Sequence, residues 1–95
     1  MSKLEEKLEE LEYFKRCITY CDFDFDSKPY IYFEKHYCYN LTICIVLYDN
    51  EIDDYYLEHD YDKRIYKKQT INNLQKAFDI MQKDLEILKE VKDNV

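Results

Sequence analysis

Glycine and tryptophan are both missing from the 95 residues of this chain, and proline occurs once, as Pro29. A Walker P-loop, a dinucleotide-binding glycine fingerprint and the nucleophile elbow of serine hydrolases each need backbone conformations that only glycine supplies. The missing glycine therefore excludes these nucleotide-binding and hydrolase motifs. It also argues against a fold that depends on glycine in its tight turns.

Long apolar runs are missing as well. The longest apolar stretch, Ile43 to Tyr48, has the length of a strand, and the first residues are charged rather than an apolar signal core. We therefore expect no membrane segment and a cytoplasmic location. Residue types with AT-rich codons dominate the composition, which is typical of genes from low-GC bacteria and their phages.

No catalytic or metal-binding motif is evident. Since no signal sequence is present, the four cysteines are expected to be reduced, small core residues. Cys17 with Cys21, and His36 with Cys38, could together supply four zinc ligands, but the chain has no C-x-x-C pair. We predict no cofactor and no enzyme, and leave open whether Cys17, Cys21, Cys38 and Cys44 bind a metal. A thiol–histidine dyad, such as Cys38 with His36 or Cys44 with His59, is the enzymatic alternative.

An apolar stripe at helical spacing marks each end of the chain. The first stripe predicts a helix from about residue 2 to 20, and the second predicts a helix from about residue 70 to 92 with Thr70 as its N-cap. The stripes consist of Leu4, Leu8, Leu11, Phe14, Ile18 and Cys21 in the first helix and Ile71, Leu74, Phe78, Met81, Leu85 and Leu88 in the second.

Between the two helices, aromatic residues and period-two alternation predict a sheet region from about residue 22 to 67. The predicted strands are Tyr30 to Tyr39, Leu41 to Tyr48 and Asp54 to Asp62. The second strand is apolar on both faces, which favours a central position, and Asp49-Asn50-Glu51 forms the turn that follows it. Lys63 to Lys68 either extends the third strand or forms a fourth.

These elements predict an α+β fold in a single domain, residues 1–95, with the order α-β-β-β-α. The expected architecture is an antiparallel sheet of three or four strands with two helices covering one face. Because both helical stripes also have heptad-like spacing, pairing of helices between two copies of the chain is an alternative to packing within one copy.

Acidic residues are concentrated in the sheet region. The whole chain has 21 acids, 14 bases and a net charge of −7, whereas residues 22–62 hold eleven acids and two bases. A surface of this sign disfavours direct binding to nucleic acid. Carboxylates on alternate strand residues repeat every ~6.6 Å, the order of the spacing between phosphates on nucleic acid. The predicted partner-binding residues are Asp22, Asp24, Asp26, Asp49, Glu51, Asp53, Asp54, Tyr56, Glu58, Asp60 and Asp62.

The element order, the lack of a catalytic motif, and the acidic surface of Asp22–Asp26 and Asp49–Asp62 resemble small acidic inhibitors encoded by phages and mobile elements. Anti-CRISPR proteins that mimic DNA are the nearest type. The resemblance implies a non-enzymatic inhibitor in the bacterial cytoplasm, which occupies a basic nucleic-acid-binding groove of a host protein such as a CRISPR effector. The alternatives are a helix-paired homodimeric adaptor or regulatory protein, and acids that serve only solubility.

Overall fold

A computed structural model describes residues 2–20, 28–38, 41–59 and 67–91 of the chain. Four strands pair antiparallel in the order β1-β2-β3-β4, and helices precede and follow them. The elements are α1 (Lys3–Glu10), β1 (Phe14–Thr19), β2 (Tyr30–Cys38), β3 (Leu41–Tyr48), β4 (Glu51–His59) and α2 (Lys67–Lys89). The predicted α+β class, with two helices and an antiparallel sheet, is confirmed.

The helix predicted over residues 2–20 is wrong in its second half, because α1 ends at Glu10 and the chain continues as β1. The apolar stripe of α1 is used as predicted, since Leu4 and Leu8 are buried. Beyond the helix, residues 13–20 are mostly aromatic, β-branched or cysteine, and these side chains favour a strand. The fourth strand of the described sheet is therefore β1. Of the segment predicted to extend the third strand or form a fourth, Lys67 and Lys68 begin α2, and residues 63–66 lie outside the described residues.

A Schellman motif ends α1. Glu12 N donates a hydrogen bond to Glu9 O, and Tyr13 N donates to Leu8 O at 2.9 Å. The motif needs a left-handed residue, usually glycine, and Glu12 takes that role with a φ of 71°. Tyr13 is then placed beside Leu8 in the core, so that the chain reverses direction before β1.

The turn between β3 and β4 also has positive φ angles at residues other than glycine. Asp49 and Asn50 have φ values of 53° and 61°, which is the pattern of a type I′ hairpin turn. Aspartate and asparagine tolerate this conformation better than other residues with a side chain. The turn lies where the sequence predicts it, although β4 begins at Glu51 rather than at Asp54.

The central strand is β3, as predicted, and seven of its eight residues are buried. Along β2, β3 and β4, alternate side chains contact the helices, as the alternation in the sequence predicts. Both helices pack on this one face. The core cluster comprises Leu4, Leu8, Tyr13, Phe33, Ile43, Ile45, Leu47, Met81, Leu85 and Leu88.

Helix α2 differs from its prediction at both ends and at one buried position, since it extends from Lys67 to Lys89 rather than from about residue 70 to 92. It begins at Lys67, so Thr70 lies inside the helix and is not its N-cap. Phe78 is 45% exposed, and its neighbour Ala77 is fully buried in its place. At this turn the buried side of α2 therefore includes Ala77 and not Phe78.

A buried carboxylate joins α2 to the rest of the fold. Asp84 is 5% exposed; its Oδ2 accepts hydrogen bonds from Tyr13 Oη at 2.8 Å and from Lys35 Nζ at 2.9 Å. The Lys35 ammonium also lies 5.0 Å from the centre of the Tyr13 ring. Burial, and then the hydrogen bond to Asp84, raise the pKa of Tyr13 far above its usual value, so the phenol stays a donor.

Removing this carboxylate should destabilise the protein strongly. We expect Asp84→Ala to lower the free energy of unfolding by about 3 kcal/mol, because the Tyr13 hydroxyl and the Lys35 ammonium lose their shared acceptor. Tyr13→Phe removes one hydrogen bond and should cost about 1 kcal/mol. Urea unfolding measures both values, with the exposed Glu86→Ala as control, expected within about 0.5 kcal/mol of the wild type. Equal losses in Asp84→Ala and Glu86→Ala would contradict this role for Asp84.

Glycine at the left-handed position should stabilise a chain that has none. We expect Glu12→Gly to raise the free energy of unfolding by about 1 kcal/mol, since glycine adopts a positive φ without the steric cost of a side chain. Glu9→Gly is the matched control, because Glu9 is exposed within α1. That variant should lose about 1 kcal/mol from lower helix propensity. The same sign of change in both variants would refute the assignment.

Candidate partner-binding face

The sheet has a second face, turned away from α1 and α2, which we call the outer face. The strand register assigns its residues, because side chains directly opposite each other in paired strands lie on the same side. The outer face consists of Phe14, Arg16, Cys17 and Thr19 from β1, Tyr30, Tyr32, Glu34 and His36 from β2, Thr42, Cys44, Val46 and Tyr48 from β3, and Glu51, Asp54, Tyr56 and Glu58 from β4.

Tyrosines flank the buried middle of the outer face. Tyr32 lies opposite Val46, and Tyr56 lies opposite Cys44, so a ring borders the central strand on each side. Towards the β3–β4 turn, Tyr48 stacks on Tyr30 with ring centres 4.6 Å apart. Tyrosine provides a large contact area with few rotatable bonds and a polar tip, which suits a protein-binding surface.

Arg16 crosses this face and links both edges of the sheet. It is the extra residue in a bulge of β1, because the register with β2 shifts between Lys15 and Cys17. Its guanidinium lies between two carboxylates, with Nη1 3.0 Å from Glu58 on β4 and Nε 3.7 Å from Glu34 on β2. These carboxylates, Glu58 before Glu34, raise the pKa of Arg16.

His36 extends the same polar cluster. Its Nδ1 is 3.0 Å from Thr42 Oγ1, and its Nε2 is 3.7 Å from a carboxylate oxygen of Glu34. Glu34 therefore lies between Arg16 and His36. This end of the outer face already pairs its carboxylates with cationic or hydrogen-bonding groups of the chain itself.

Cys44 lies beneath the cluster with its thiol 3.9 Å from Glu58 Oε2. Burial, and then the negative charge of Glu58, raise the pKa of the Cys44 thiol. A nucleophilic cysteine needs the opposite shift, towards the thiolate. Burial, followed by the neighbouring Cys44, likewise raises the pKa of Tyr56. Both groups are therefore uncharged near neutral pH.

The predicted acids that the structure describes run along the β3–β4 turn and the edge strand β4. Asp53 is the extra residue of a second bulge, because Asp54 pairs with Val46 and Ile52 pairs with Leu47. Two carboxylates thus follow each other at the edge of the sheet. Asp22, Asp24, Asp26, Asp60 and Asp62 lie outside the described residues.

Ion pairing differs between the two ends of this acidic surface. Glu58 is paired with Arg16, and Asp49 with Lys28. Within the described part of the chain, Glu51, Asp53 and Asp54 have no ion pair within 4 Å, and all three are exposed. Asp54 accepts a hydrogen bond from the backbone N–H of Tyr55 at 2.8 Å. Among the described residues of this acidic surface, the carboxylates without an ion pair are therefore those at the start of β4.

Of the four cysteines considered as metal ligands, Cys17 lies in β1 and not on the predicted helix, and its side chain is exposed. Cys21 and the side chain of Cys38 are outside the described residues. Among the residues that the structure does describe, no group of three or more histidine, cysteine, aspartate or glutamate side chains could hold a metal ion. Nor does any described helix have both the length and the apolar character needed to cross a membrane.

Sequence reasoning missed several residues of the outer face. Arg16 and Phe14 were assigned to a helix, and Glu34 and Tyr30 were not among the predicted binding residues. The signal that could have located β1 is local, because Tyr13 to Tyr20 is rich in strand-forming side chains whereas residues 2–12 contain no β-branched residue. The reach of Arg16 across the sheet has no comparable signal, since it depends on the strand order.

A shallow cleft of about 380 Å³ lies between the two helices and the β3–β4 turn, and Glu51 of the acidic surface is among its lining residues. Apolar side chains that border the core line it, among them Ile52, Leu85 and Val91.

Comparison of the chain with protein-family models, with curated proteins and with solved structures finds no match. The functional argument therefore depends on the geometry and charge of the chain itself.

Two cysteines of the outer face should differ sharply in reactivity. We expect Cys17, which is exposed, to react with iodoacetamide at least about a hundredfold faster than Cys44, whose thiol is buried and protonated. The measurement uses a Cys21→Ser, Cys38→Ser background and mass spectrometry of the labelled peptides at pH 8. Similar rates at the two cysteines would show that the outer face opens at Cys44.

Proposed function

We propose that this protein is a non-enzymatic inhibitor of a nucleic-acid-handling protein, encoded by a phage or mobile element. It occupies a basic nucleic-acid-binding groove of its target in place of the nucleic acid. A CRISPR effector is the target type that the resemblance to DNA-mimicking anti-CRISPR proteins favours. The observation that carries the proposal is the run of exposed, uncompensated carboxylates at the start of β4, beside a tyrosine-rich sheet face.

The position of these carboxylates supports a binding role. Glu51, Asp53 and Asp54 lie on a hairpin whose other strand is β3, the most buried element of the sheet. A charged group on a rigid strand loses little conformational entropy on binding, compared with one on a flexible loop. Clustered like charges destabilise the folded protein by mutual repulsion, and a cationic groove would relieve that repulsion in the complex.

The paired tyrosines add an apolar contribution to the same end of the sheet. Tyr48 is opposite Glu51, and its ring stacks on that of Tyr30. Arginine side chains, which are common in nucleic-acid-binding grooves, stack on aromatic rings and form charge-assisted hydrogen bonds with carboxylates. A surface that offers tyrosine rings beside carboxylates therefore matches the side chains that normally grip phosphates.

The alternative of a homodimer paired through its helices has less support from the structure. The apolar residues of its predicted stripes, including Leu8, Leu85 and Leu88, are buried in the core of a single chain. A second copy would have to bind to the remaining helix surface, where Phe78 is exposed. We therefore favour the inhibitor.

The test measures how well the protein displaces labelled double-stranded DNA from guide-loaded CRISPR effectors, using a panel that covers several effector types. We expect Glu51→Gln, Asp53→Asn and Asp54→Asn together to raise the concentration needed for half-displacement by about tenfold or more, because each lost charge weakens the attraction to the groove. Added salt should weaken the wild type more than this triple variant.

The matched control removes three exposed acids from the helical side of the protein, with Asp79→Asn, Glu86→Gln and Glu90→Gln. Both triple variants have the same net charge, so this control separates the site from the overall charge. The control should displace DNA as well as the wild type does. Equal weakening of both variants, or a wild type that displaces DNA from no effector in the panel, would contradict the proposal.

A further inference from the structure

The cleft between the helices and the β3–β4 turn has a fixed, apolar floor. Leu4, Leu85 and Leu88 line it from the two helices, and each is at most 6% exposed because it also belongs to the core. Close packing in the core holds these side chains in place. A ligand would therefore meet a surface that is already formed, which lowers the entropic cost of binding.

The start of β4 forms the other wall of the cleft. Ile52 packs against the core from this strand, opposite Leu47 of β3. Tyr55 lies on the helix side of the sheet, opposite Ile45, and yet is 48% exposed. The helices thus leave this end of β4 partly uncovered. The resulting cleft of about 380 Å³ is large enough for one apolar side chain, since small-molecule pockets occupy roughly 300–1,000 Å³.

The same segment of β4 carries the acids without an ion pair. Glu51, next to the turn, belongs to the outer face and also lines the cleft. Asp53 and Asp54 directly follow Ile52, and both are exposed. Because β4 is an edge strand of the described sheet, a segment that crosses this edge can contact the carboxylates and the cleft together. The wall at β4 therefore favours a ligand that is apolar at one point and cationic beside it.

The wall at α2 has the opposite charge. Among the described residues that line the cleft, Lys89 is the one cation, and it is exposed at the end of α2. Lys89 and Glu51 form no ion pair with each other within 4 Å. A cationic ligand is attracted to the β4 wall and repelled from the α2 wall. The two charges thus determine how such a ligand lies across the cleft.

We infer that this cleft binds a leucine-sized apolar side chain of the target protein, on a segment whose neighbouring arginine or lysine residues contact Glu51, Asp53 and Asp54. The inference rests on the proposed function for the identity of the partner, and it adds an apolar anchor to the charged contacts. Side chains that fill a desolvated pocket inside a polar rim often dominate the affinity of a protein interface. Charge alone would attract many cationic grooves, whereas the cleft selects those with an apolar residue at the matching position.

NMR titration with short peptides tests the cleft without a CRISPR effector. One peptide has a central leucine with two arginines on each side, and the other has serine in place of the leucine. Both have blocked termini, so their charge is the same. We expect the leucine peptide to bind about fivefold more tightly or better, because part of its leucine side chain leaves water. Its binding should shift the methyl signals of Ile52, Leu85 and Val91, which the serine peptide should leave nearly unchanged.

A larger side chain at Val91 should fill the cleft, because Val91 is a half-buried lining residue just beyond α2. We expect Val91→Trp to bind the two peptides equally, since the charges of β4 are unchanged. In the DNA-displacement assay it should raise the concentration for half-displacement by about fivefold and keep the salt dependence of the wild type. Phe78→Trp is the matched control, because Phe78 is exposed on α2 and does not line the cleft. It should behave as the wild type does in both assays.

The two assays separate this inference from the proposed function. Equal binding of both peptides to the wild-type protein overturns the inference without any variant, and so does a leucine preference that Val91→Trp leaves intact. DNA displacement that depends on the acids of β4 but not on Val91→Trp overturns the inference and leaves the proposed function standing. A leucine preference in a protein that displaces DNA from no effector overturns the proposed function alone. The cleft then serves another partner with the same cationic and apolar chemistry.

Discussion

The bond between Asp84 and its two donors holds the three parts of this fold in one arrangement. Tyr13 follows the turn that ends α1, Lys35 lies on β2, and Asp84 lies on α2. A single carboxylate oxygen of Asp84 therefore connects both helical ends of the chain to the sheet. A buried carboxylate is costly unless its hydrogen bonds are satisfied. Because both donors are supplied by distant parts of the chain, the charge is tolerated only when all three elements are in place.

The two faces of the sheet differ in their packing and in their charge. On the helix side, Ile43, Ile45 and Leu47 pack against leucines of α1 and α2, and the polar groups of Asp84 and Lys35 satisfy each other. No buried side-chain nitrogen or oxygen of the described residues lacks a hydrogen-bond partner. On the outer face the polar side chains remain accessible, and there Arg16 neutralises one end of the acidic surface while the start of β4 keeps its charge.

Much of the fold was predictable from local pattern. The strand from Leu41 to Tyr48 matches β3 residue for residue, because a continuous apolar run has only one placement in a small sheet, between two neighbours. The turn at Asp49 and Asn50 follows from their tolerance of positive φ. The first helix was predicted too long, since Phe14, Ile18 and Cys21 continue the helical spacing by coincidence, and periodicity was given more weight than the strand propensity of Tyr13 to Tyr20.

The binding face was predictable only in part. The exposed side of β4 was identified correctly at Asp54, because alternation along a strand separates the two faces, whereas Glu51 was assigned to the preceding turn. Whether these acids form ion pairs was not predicted, since that depends on which cations approach from other strands. Arg16 reaches Glu58 across the whole width of the sheet, over a separation of 42 residues in sequence. No sequence pattern within either segment predicts that contact.

The amino-acid sequence by itself determined the class of the fold, the central strand, the turn without glycine and the concentration of acids in the sheet region, because propensity and periodicity act between near neighbours. Only the tertiary structure decided where α1 ends, that β1 forms an exposed edge of the described sheet, and which of the described carboxylates lack an ion pair. Those outcomes depend on contacts between residues far apart in the chain, such as Tyr13 with Asp84 and Arg16 with Glu58, whose energies exist only once the strands are in order.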